Sequence, residues 1–348
     1  MPGLSRGYCN ALVVLLVLAD LLSREYGTGQ KSLFFDILFG VSSVGESPNR
    51  LVSASTGVPN GNQAGGGRRY GIASVVEGED HIYGAYSIHK QIAKFRMNIT
   101  QVAVVPRAID SSFRAALVSW LGEENVRTVD RGHIVDRIAP DSGMWKGPFN
   151  KLWLFNLTDF DKLIVLDADI LIRTNIMHWF DYPAPCAIQT KDDISWNSGA
   201  MVIEPNTQIF NKMVDILPRL RKFTKADEAF DVDPLNSGYS DQDFITAFFL
   251  NSTDQARKRC IMPTEAAVLS SSLTGPDFFE YYNRYRPWVY QTVHFTTAKP
   301  WRKGTKTDHP FLCGMFMEWK ASIEGIEKEN IKSIENNYLA NCPKLRSS

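Results

Sequence analysis

Two aspartates directly follow an apolar run near the middle of the chain. Residues 163–169 read LIVLDAD, so Asp167 and Asp169 stand at the end of a predicted strand. Because side chains alternate along a strand, we expect both carboxylates to point the same way. Converging carboxylates repel each other unless a cation lies between them, and hard oxygen ligands suit Mn²⁺ or Mg²⁺. The pattern therefore predicts a divalent-metal site, and a metal there could bind a diphosphate.

A second group of side chains that could bind a metal or a phosphate lies in residues 294–301. These residues read HFTTAKPW and follow a strand-like run at 289–293. The imidazole of His294 could complete the metal site, and one nitrogen ligand favours Mn²⁺ over Mg²⁺. Lys299 could contact a phosphate as a point charge, and Trp301 follows a proline that would stiffen the turn. A lone histidine is also often a purely structural side chain, so this assignment depends on its neighbours.

Two polar segments lie between these groups. Asn197 and Ser198 precede a glycine and an apolar strand at 200–203, and their side chains could recognise a sugar ring. The same N-S-G sequence also favours a plain β-turn. Asp241 and Gln242 open a helical run, where acidic residues also cap a helix and complement its dipole. Either segment therefore has both a functional and a structural interpretation.

Alternating strands and helices are predicted to position these side chains. Such alternation is typical of an α/β fold with a mostly parallel sheet covered by helices, in which ligands bind beyond the carboxyl ends of the strands. The predicted strands are 70–76, 102–105, 125–129 and 163–166. The predicted helices are 82–95, 111–121 with Ser111 or Ser112 as the cap, and the amphipathic segment 149–157.

The N-terminal part of the chain differs in composition from the rest. Residues 11–22 read ALVVLLVLADLL, a stretch shorter than the roughly 20 residues of a membrane span but suited to a secretory signal. We therefore interpret 1–27 as a signal peptide or short signal anchor. Residues 28–69 are rich in Gly, Ser and Asn, typical of a linker or stem. The main folded domain is expected at 70–325, followed by a tail at 326–348.

Composition and modification motifs limit the classes of function. The chain has 348 residues with 38 basic and 38 acidic side chains, and this balance argues against a nucleic-acid partner. Three N-glycosylation sequons fit a secretory route, with Asn251 expected to be used most readily and Asn156 least: Asn98, Asn156 and Asn251. Besides Cys9, four cysteines could pair in three ways, and the sequence does not choose among them: Cys186, Cys260, Cys313 and Cys342.

Taken in chain order, D-A-D, N-S-G, D-Q and H-F-x-x-x-K-P-W resemble the motifs of glycosyltransferase family 8, over about residues 70–301. The segments LDADILIRTNI and NSGAMVIEP are most similar to its glycogenin-like and plant xylan glucuronosyltransferase-like branch. One position departs from the family pattern, since Thr297 stands where the family usually has glycine. The backbone approach to the diphosphate is therefore expected to differ there.

The resemblance implies a Rossmann-like, GT-A type fold that binds a UDP-sugar and transfers a hexosyl or glucuronosyl group with retention of configuration. It implies a glycan or glycoprotein as acceptor, and Mn²⁺ or Mg²⁺ held by Asp167, Asp169 and His294. Lys299 would contact the diphosphate and Tyr83 would stack on uracil. The remaining implied site residues contact the donor or surround the transferred sugar: Lys151, Asn197, Ser198, Asp241, Gln242 and Trp301.

Together with the N-terminal segment, these observations predict a type II Golgi membrane protein with a lumenal catalytic domain, and they leave a homodimer open. Three alternatives remain at this point. One is a cytosolic, glycogenin-like initiator that glucosylates itself. Another is a D-x-D phosphatase, in which Asp167 would be the nucleophile and Lys191-Asp192-Asp193 would supply the later lysine and acids. The third is an inactive carbohydrate-binding relative.

Overall fold

The computed structural model describes residues 68–139, 146–189, 196–220, 240–250, 260–271, 290–296, 299–301 and 310–326. The expected N-terminal targeting segment, most of the linker and the C-terminal tail lie outside these ranges, as do Thr297, Asn251 and the Lys191-Asp192-Asp193 segment. Within the described ranges, no helix is long and apolar enough to cross a membrane.

Strands and helices alternate through the first two thirds of the described chain, as the sequence predicts. The strands are β1 (Tyr70–Val75), β2 (Thr100–Pro106), β3 (Val126–Val129), β4 (Lys162–Leu166), β5 (Ile170–Ile172), β6 (Cys186–Gln189), β7 (Trp196–Ile203), β8 (Cys260–Ile261), β9 (Ala267–Leu269) and β10 (Thr292–His294). The α-helices are α1 (Glu79–Lys94), α2 (Ser111–Leu121), α3 (Gly132–Val135), α4 (Thr207–Ile216), α5 (Asp241–Leu250) and α6 (Pro310–Ser322). The 3₁₀ segments are Glu123–Asn125, Gly147–Asn156, Met177–Asp181, Leu217–Arg219 and Thr264–Ala266.

A seven-stranded mixed sheet has the order β3-β2-β1-β4-β7-β6-β8. Four of its pairings are parallel, and β7 is antiparallel to both β4 and β6. The predicted α/β fold with a mostly parallel sheet is therefore confirmed. Because β7 runs against β4, with Leu166 opposite Ala200, the first residues of β7 lie at the edge where β4 ends.

A second sheet of three strands has the order β5-β10-β9. Strand β5 begins directly after the D-A-D sequence, and β10 pairs with it in the antiparallel sense, with His294 opposite Ile170. The two sheets therefore bring the D-A-D sequence, the start of β7 and the end of β10 to one place.

The core explains why these segments form these elements. Leu163, Ile164, Val165 and Leu166 are all buried, which is typical of a central strand covered on both faces. One face packs against the 3₁₀ segment Gly147–Asn156, α4 and α5. On the other face lie α1, α2, α6 and the small sheet.

Three local predictions need correction. Helix α2 is capped by Asp110, not by Ser111 or Ser112, because the Asp110 carboxylate accepts the Ser112 backbone N–H at 2.8 Å. The predicted amphipathic helix at 149–157 is a 3₁₀ helix that starts two residues earlier and carries a proline in its first turn. The N-S-G sequence is not a turn before a strand, since pairing with β4 and β6 makes it part of β7.

A disulfide joins Cys186 in β6 to Cys260 in β8. It links two neighbouring strands across 74 residues of sequence, so it fixes the outer strand of the large sheet. Cys313 is also disulfide-bonded. The sequence alone does not determine which cysteines pair, whereas the structure pairs Cys186 with Cys260.

Candidate active site

The D-A-D sequence forms a turn between β4 and β5. Strand β4 ends at Leu166, and the Ile170 backbone N–H donates to the Asp167 carbonyl at 3.1 Å, which closes the turn. The expectation that the two aspartates continue the alternation of a strand is therefore wrong. Their carboxylates nevertheless converge, because the turn directs both toward the imidazole of His294.

His294 lies against both carboxylates. Its Nε2 atom is 3.2 Å from Asp169 Oδ1 and 4.0 Å from Asp167 Oδ2. One possible ligand atom from each of the three residues can be chosen so that all lie within 4.8 Å of one another. The Phe295 backbone N–H donates to the Asp169 carbonyl at 3.0 Å, which locks the end of β10 to the turn.

Two glycines allow this close approach. A Cβ at Gly84 in α1 would lie 1.8 Å from the Ala168 carbonyl oxygen, so only glycine lets α1 touch the D-A-D turn. A Cβ at Gly199 would lie 2.2 Å from the His294 ring, which therefore packs directly over the β7 backbone. The glycine of N-S-G is thus required by the position of the histidine.

The donor set fits a divalent cation. Two carboxylates and one imidazole nitrogen are the ligands that Mn²⁺ accepts, and Mg²⁺ is less suited to the nitrogen. Burial tends to raise the pKa of Asp169, but the neighbouring His294 and Lys299 outweigh it and hold that pKa well below its ordinary value. The carboxylate is therefore charged at neutral pH, as a metal ligand must be.

Lys299 forms an ion pair with Asp169. Its ammonium also donates to the Phe295 carbonyl at 3.0 Å, which holds it on the same side of the turn as the metal ligands. Lys299 therefore lies beside the metal-ligand cluster, and its contact with a diphosphate stays a prediction.

Lys151 belongs to a buried network that also contacts Asp167. Its ammonium lies 2.9 Å from Asp167 Oδ1, 2.9 Å from Asp241 Oδ2 and 2.9 Å from Ser198 Oγ. The Ser198 hydroxyl donates to Asp241 Oδ2 at 2.8 Å. The network joins the 3₁₀ segment, the D-A-D turn, β7 and the start of α5.

The side chain of Asn197 connects His294 with Gln242. Its Oδ1 atom lies 2.9 Å from His294 Nδ1, and its Nδ2 donates to Gln242 Oε1 at 3.0 Å. The side chains predicted from four separate motifs thus form one contiguous cluster. Asn197, Ser198 and Asp241 are buried, whereas Gln242 is half-buried.

Comparisons with curated proteins give glycosyltransferase relatives. The chain is 32% identical over 162 residues to inositol phosphorylceramide glucuronosyltransferase 1 of Arabidopsis thaliana, covering 44% of this chain and 29% of that protein. It is 24% identical over 283 residues to UDP-glucuronate:xylan alpha-glucuronosyltransferase 1 of the same plant, covering 78% and 38%. It is 28% identical over 186 residues to glycogenin-1 of Caenorhabditis elegans, covering 51% and 35%. No protein-family model matches the chain.

The resemblance to glycosyltransferase family 8 is confirmed. These relatives come from the glycogenin-like and plant glucuronosyltransferase branch that the motifs indicate. The chain spans less than two fifths of the length of each of these three relatives.

Solved structures confirm the GT-A type fold. The bifunctional glycosyltransferase WbbM matches with a TM-score of 0.54 at 15% identity, covering 76% of this chain and 51% of that one. The galactosyltransferase LgtC, solved with donor and acceptor sugar analogs, matches with a TM-score of 0.50 at 16% identity, covering 74% and 99%. At such identities the similarity concerns the fold.

From the sequence, uracil is expected to stack on Tyr83, which lies in α1. Tyr83 is half-buried and packs against the core cluster beneath α2 and α6. Trp301 instead contacts His81, with ring centroids 5.9 Å apart in an edge-to-face arrangement. The assignment of Tyr83 to uracil stacking therefore stays a prediction, and His81 is a neighbouring ring that the sequence analysis did not select.

Glu77 is a second side chain that the sequence analysis missed. It follows β1 at the carboxyl edge of the sheet and accepts the Asn150 side-chain N–H at 2.8 Å. Burial raises the pKa of Glu77, and the bond from Asn150 and the nearby cations only partly oppose this. Its position after the first strand was the available signal, since ligands bind beyond that edge.

Proposed function

We propose that this chain is a retaining, Mn²⁺-dependent glycosyltransferase that moves a hexosyl or glucuronosyl group from a UDP-sugar to a glycan or glycoprotein acceptor. The observation that carries the proposal is the convergence of Asp167, Asp169 and His294 at the edge of the sheet. The glycosyltransferase relatives and the GT-A type fold support the same chemistry. They do not favour the phosphatase alternative.

The charges of the site fit a diphosphate. Asp167, Asp169 and Asp241 carry three negative charges, and Lys151 and Lys299 carry two positive charges, so the cluster has one net negative charge. A divalent cation would reverse the sign to one net positive charge. Such a site attracts a diphosphate and stabilises the charge that develops on it as the sugar leaves.

Each side chain then has a role that follows from its place. Asp167, Asp169 and His294 would hold the metal, which acts as a Lewis acid on the leaving diphosphate when bound. Lys299, beside Asp169, would contact the same diphosphate. Asp241, which contacts Lys151, and Gln242, which contacts Asn197, would face the transferred sugar.

A donor screen tests the proposal. The full chain is incubated with Mn²⁺ and different nucleotide-sugars, and release of the nucleoside diphosphate is measured. We expect release from a UDP-sugar, loss of release in EDTA and recovery that is best with Mn²⁺. Asp167→Asn and Asp169→Asn should each lower turnover by orders of magnitude, because each removes a ligand charge. Full turnover in EDTA after exhaustive dialysis would contradict the metal assignment.

Binding of the nucleotide alone tests the donor class separately. Titration calorimetry with Mn²⁺ should show UDP binding, and Lys299→Ala should weaken it about tenfold. Tyr83→Ala should weaken UDP binding if that ring stacks on uracil, and the same substitution at His81 provides the comparison. Equal affinities for UDP and GDP would contradict recognition of the uracil.

We also propose a lumenal location in the secretory pathway, in the Golgi membrane. The disulfide between Cys186 and Cys260 and the second disulfide at Cys313 support an oxidising compartment. A cytosolic protein that glucosylates itself is the alternative. Thiol alkylation of the protein isolated from its native cells separates the two, because protected cysteines are expected in the lumen and free ones in the cytosol.

A further inference from the structure

A cavity of about 660 Å³ lies between α1, α6 and the small sheet, away from the D-A-D turn. Strand β5 leads from that turn at Ile170 to the cavity wall at Ile172. Along α1, the cavity begins at Gln91, which is about 10 Å beyond the glycine that touches the turn, Gly84. A volume of this size is typical of ligand-binding cavities. The cavity is therefore a candidate site separate from the metal ligands.

The cavity wall contains a buried amide whose oxygen has no partner. Gln91 is 4% exposed, and among the described residues nothing donates a hydrogen bond to its buried Oε1 atom. A buried acceptor that stays unpaired raises the free energy of the folded chain. Because Gln91 lines the cavity, a bound ligand that carries hydroxyl groups can supply the missing donor.

The other polar groups of the wall offer further donors and acceptors. Gln291 accepts the indole N–H of Trp179 through its oxygen at 2.6 Å, so the other end of that amide is an NH₂ group, which donates. Lys94 adds an exposed ammonium that pairs with no carboxylate in the described part of the chain. Thr174 adds an exposed hydroxyl, which can both donate and accept.

An ion pair limits the net charge of the cavity wall. Arg173 donates from Nε and Nη2 to the Glu318 carboxylate at 2.9 and 3.1 Å, so these two charges compensate each other. Lys94 then leaves one net positive charge among the lining side chains. One such charge suits a single carboxylate better than a ligand with several phosphates. The polar wall does not suit a lipid chain, and the ring of Tyr290 is only 2% exposed, so it offers no face to a nucleobase.

We propose that this cavity is a second carbohydrate-binding site, which takes a segment of glycan carrying one carboxylate, such as a uronic acid residue. Sugar hydroxyls both donate and accept, so they match the amide oxygen of Gln91 and the NH₂ group of Gln291. The carboxylate pairs with the ammonium of Lys94. The inference goes beyond the proposed function but rests on it for the presence of a glycan, which this site would hold at a distance from the reacting sugar.

Three variants of the full chain test the two parts of the site. Gln91→Leu removes the buried amide and keeps a side chain of similar size. Lys94→Met removes the cation and keeps most of the apolar stem. Lys90→Met is the matched control for Lys94→Met, because Lys90 is an exposed lysine of the same helix that does not line the cavity.

The measurement is titration calorimetry in EDTA without any nucleotide-sugar. The probes are a xylo-oligosaccharide with a single glucuronosyl branch and the same oligosaccharide without the branch. We expect the wild type to bind the branched probe about tenfold more tightly. Lys94→Met should lose this preference, and Lys90→Met should retain it. No binding of either probe by the wild type, or the same loss of preference in Lys90→Met, would overturn the proposal.

Gln91→Leu should bind both probes about tenfold more weakly than the wild type. Its free energy of unfolding, from urea denaturation, should not fall, because an apolar side chain replaces a buried acceptor that has no partner. Lower stability with unchanged affinity for both probes would show that Gln91 is purely structural and would overturn the proposal.

Asp167→Asn separates this cavity from the metal site. It should bind both probes as the wild type does, because the cavity contains no metal ligand. Binding that is lost in Asp167→Asn and kept in Gln91→Leu would place the glycan at the metal site and overturn the inference. Glycan binding that depends on Gln91, in a chain that releases no nucleoside diphosphate from any nucleotide-sugar, would support the inference and contradict the proposed function alone.

Discussion

The ammonium of Lys151 lies 2.9 Å from Oδ2 of Asp241, and each side chain is 5% exposed. Burial alone would lower the pKa of Lys151, but the carboxylates of Asp167 and Asp241 outweigh burial and raise that pKa above its ordinary value. The lysine is therefore charged and acts as counterion to both acids. A sequence comparison can suggest that such a lysine contacts the donor, but only the structure shows that it also joins the metal turn to α5.

Removing this buried ammonium should destabilise the protein. Lys151→Met leaves Asp241 buried without its partner, and breaking a buried ion pair in this way costs about 3–5 kcal/mol. The measurement is the free energy of unfolding from urea denaturation. In the matched double variant Lys151→Met/Asp241→Asn the uncompensated charge of the buried Asp241 is gone, so part of the stability should return. A double variant less stable than the single one would show that the ion pair is not the cause.

The contact between α1 and the D-A-D turn gives a second prediction. Gly84→Ala places a Cβ where the Ala168 carbonyl now lies, so the turn must move and carry the metal ligands with it. We expect a loss of about 1–3 kcal/mol of stability from overpacking and weaker Mn²⁺ binding.

Gly78→Ala is the matched control for Gly84→Ala. It lies in front of the same helix with extended backbone, at φ −165°, and an added Cβ there meets no atom within 4 Å. Stability and Mn²⁺ affinity should change little in this control. Equal losses in both variants would indicate an effect on helix α1 as a whole.

Much of the fold could be predicted because its signals are local. The periodicity of α1 and the β-branched run of β2 are visible within single segments of the sequence. The 3₁₀ form of Gly147–Asn156 and the strand character of N-S-G were not predictable in this way. Both depend on pairing and packing with distant segments, and the antiparallel contacts of β7 override the local turn preference.

The sequence motifs predict which residues form the site, but they do not predict which of these side chains contact each other. The motifs indicate that Asp167, Asp169 and His294 meet, and the structure brings them together. The placement of Asn197 between His294 and Gln242 follows from the start of β7 lying beside the ends of β4 and β10. Glu77 has no motif of its own, so its burial becomes evident only once the sheet and the 3₁₀ segment are in place.

The raised pKa of Glu77 gives a prediction about pH. Burial favours the protonated form in the folded state, so its pKa is higher folded than unfolded, where it is near 4.5. Stability therefore falls as the pH rises through 4.5 toward the folded-state pKa, and the full cost is present above that pKa. Glu77→Gln keeps an oxygen for Asn150 and removes this cost.

Thermal unfolding at several pH values checks the effect of Glu77→Gln. The variant should have a higher Tm than the wild type at neutral pH, and the difference should shrink as the pH falls from the folded-state pKa toward 4.5. An equal difference in Tm at all pH values would mean that the charge of Glu77 is not responsible. A lower Tm of the variant at neutral pH would mean that the ionised carboxylate is favoured by its surroundings.

The sequons at Asn98 and Asn156 differ in their accessibility to a glycosylating enzyme. Asn98 is exposed in the loop between α1 and β2, and no described residue forms a hydrogen bond with its side chain. It precedes β2, whose carboxyl end lies at the edge of the metal site, so a glycan on Asn98 would extend from the opposite edge. Asn156, by contrast, is half-buried at the end of a 3₁₀ segment, and its side-chain oxygen accepts a hydrogen bond from the Thr207 hydroxyl at 3.0 Å.

We therefore expect Asn98 to carry a glycan when the full chain is expressed in secretory cells. Glycosidase treatment should shift the electrophoretic mobility of the wild type and of Thr100→Ser, because this variant keeps the sequon. In Asn98→Gln and Thr100→Val the sequon is lost, so the part of the shift that is due to Asn98 should be absent. Asn156→Gln should leave the shift unchanged. An unshifted wild type in the cytosolic fraction, with Met1 retained on N-terminal sequencing, would contradict the secretory assignment and favour the cytosolic, self-glucosylating alternative.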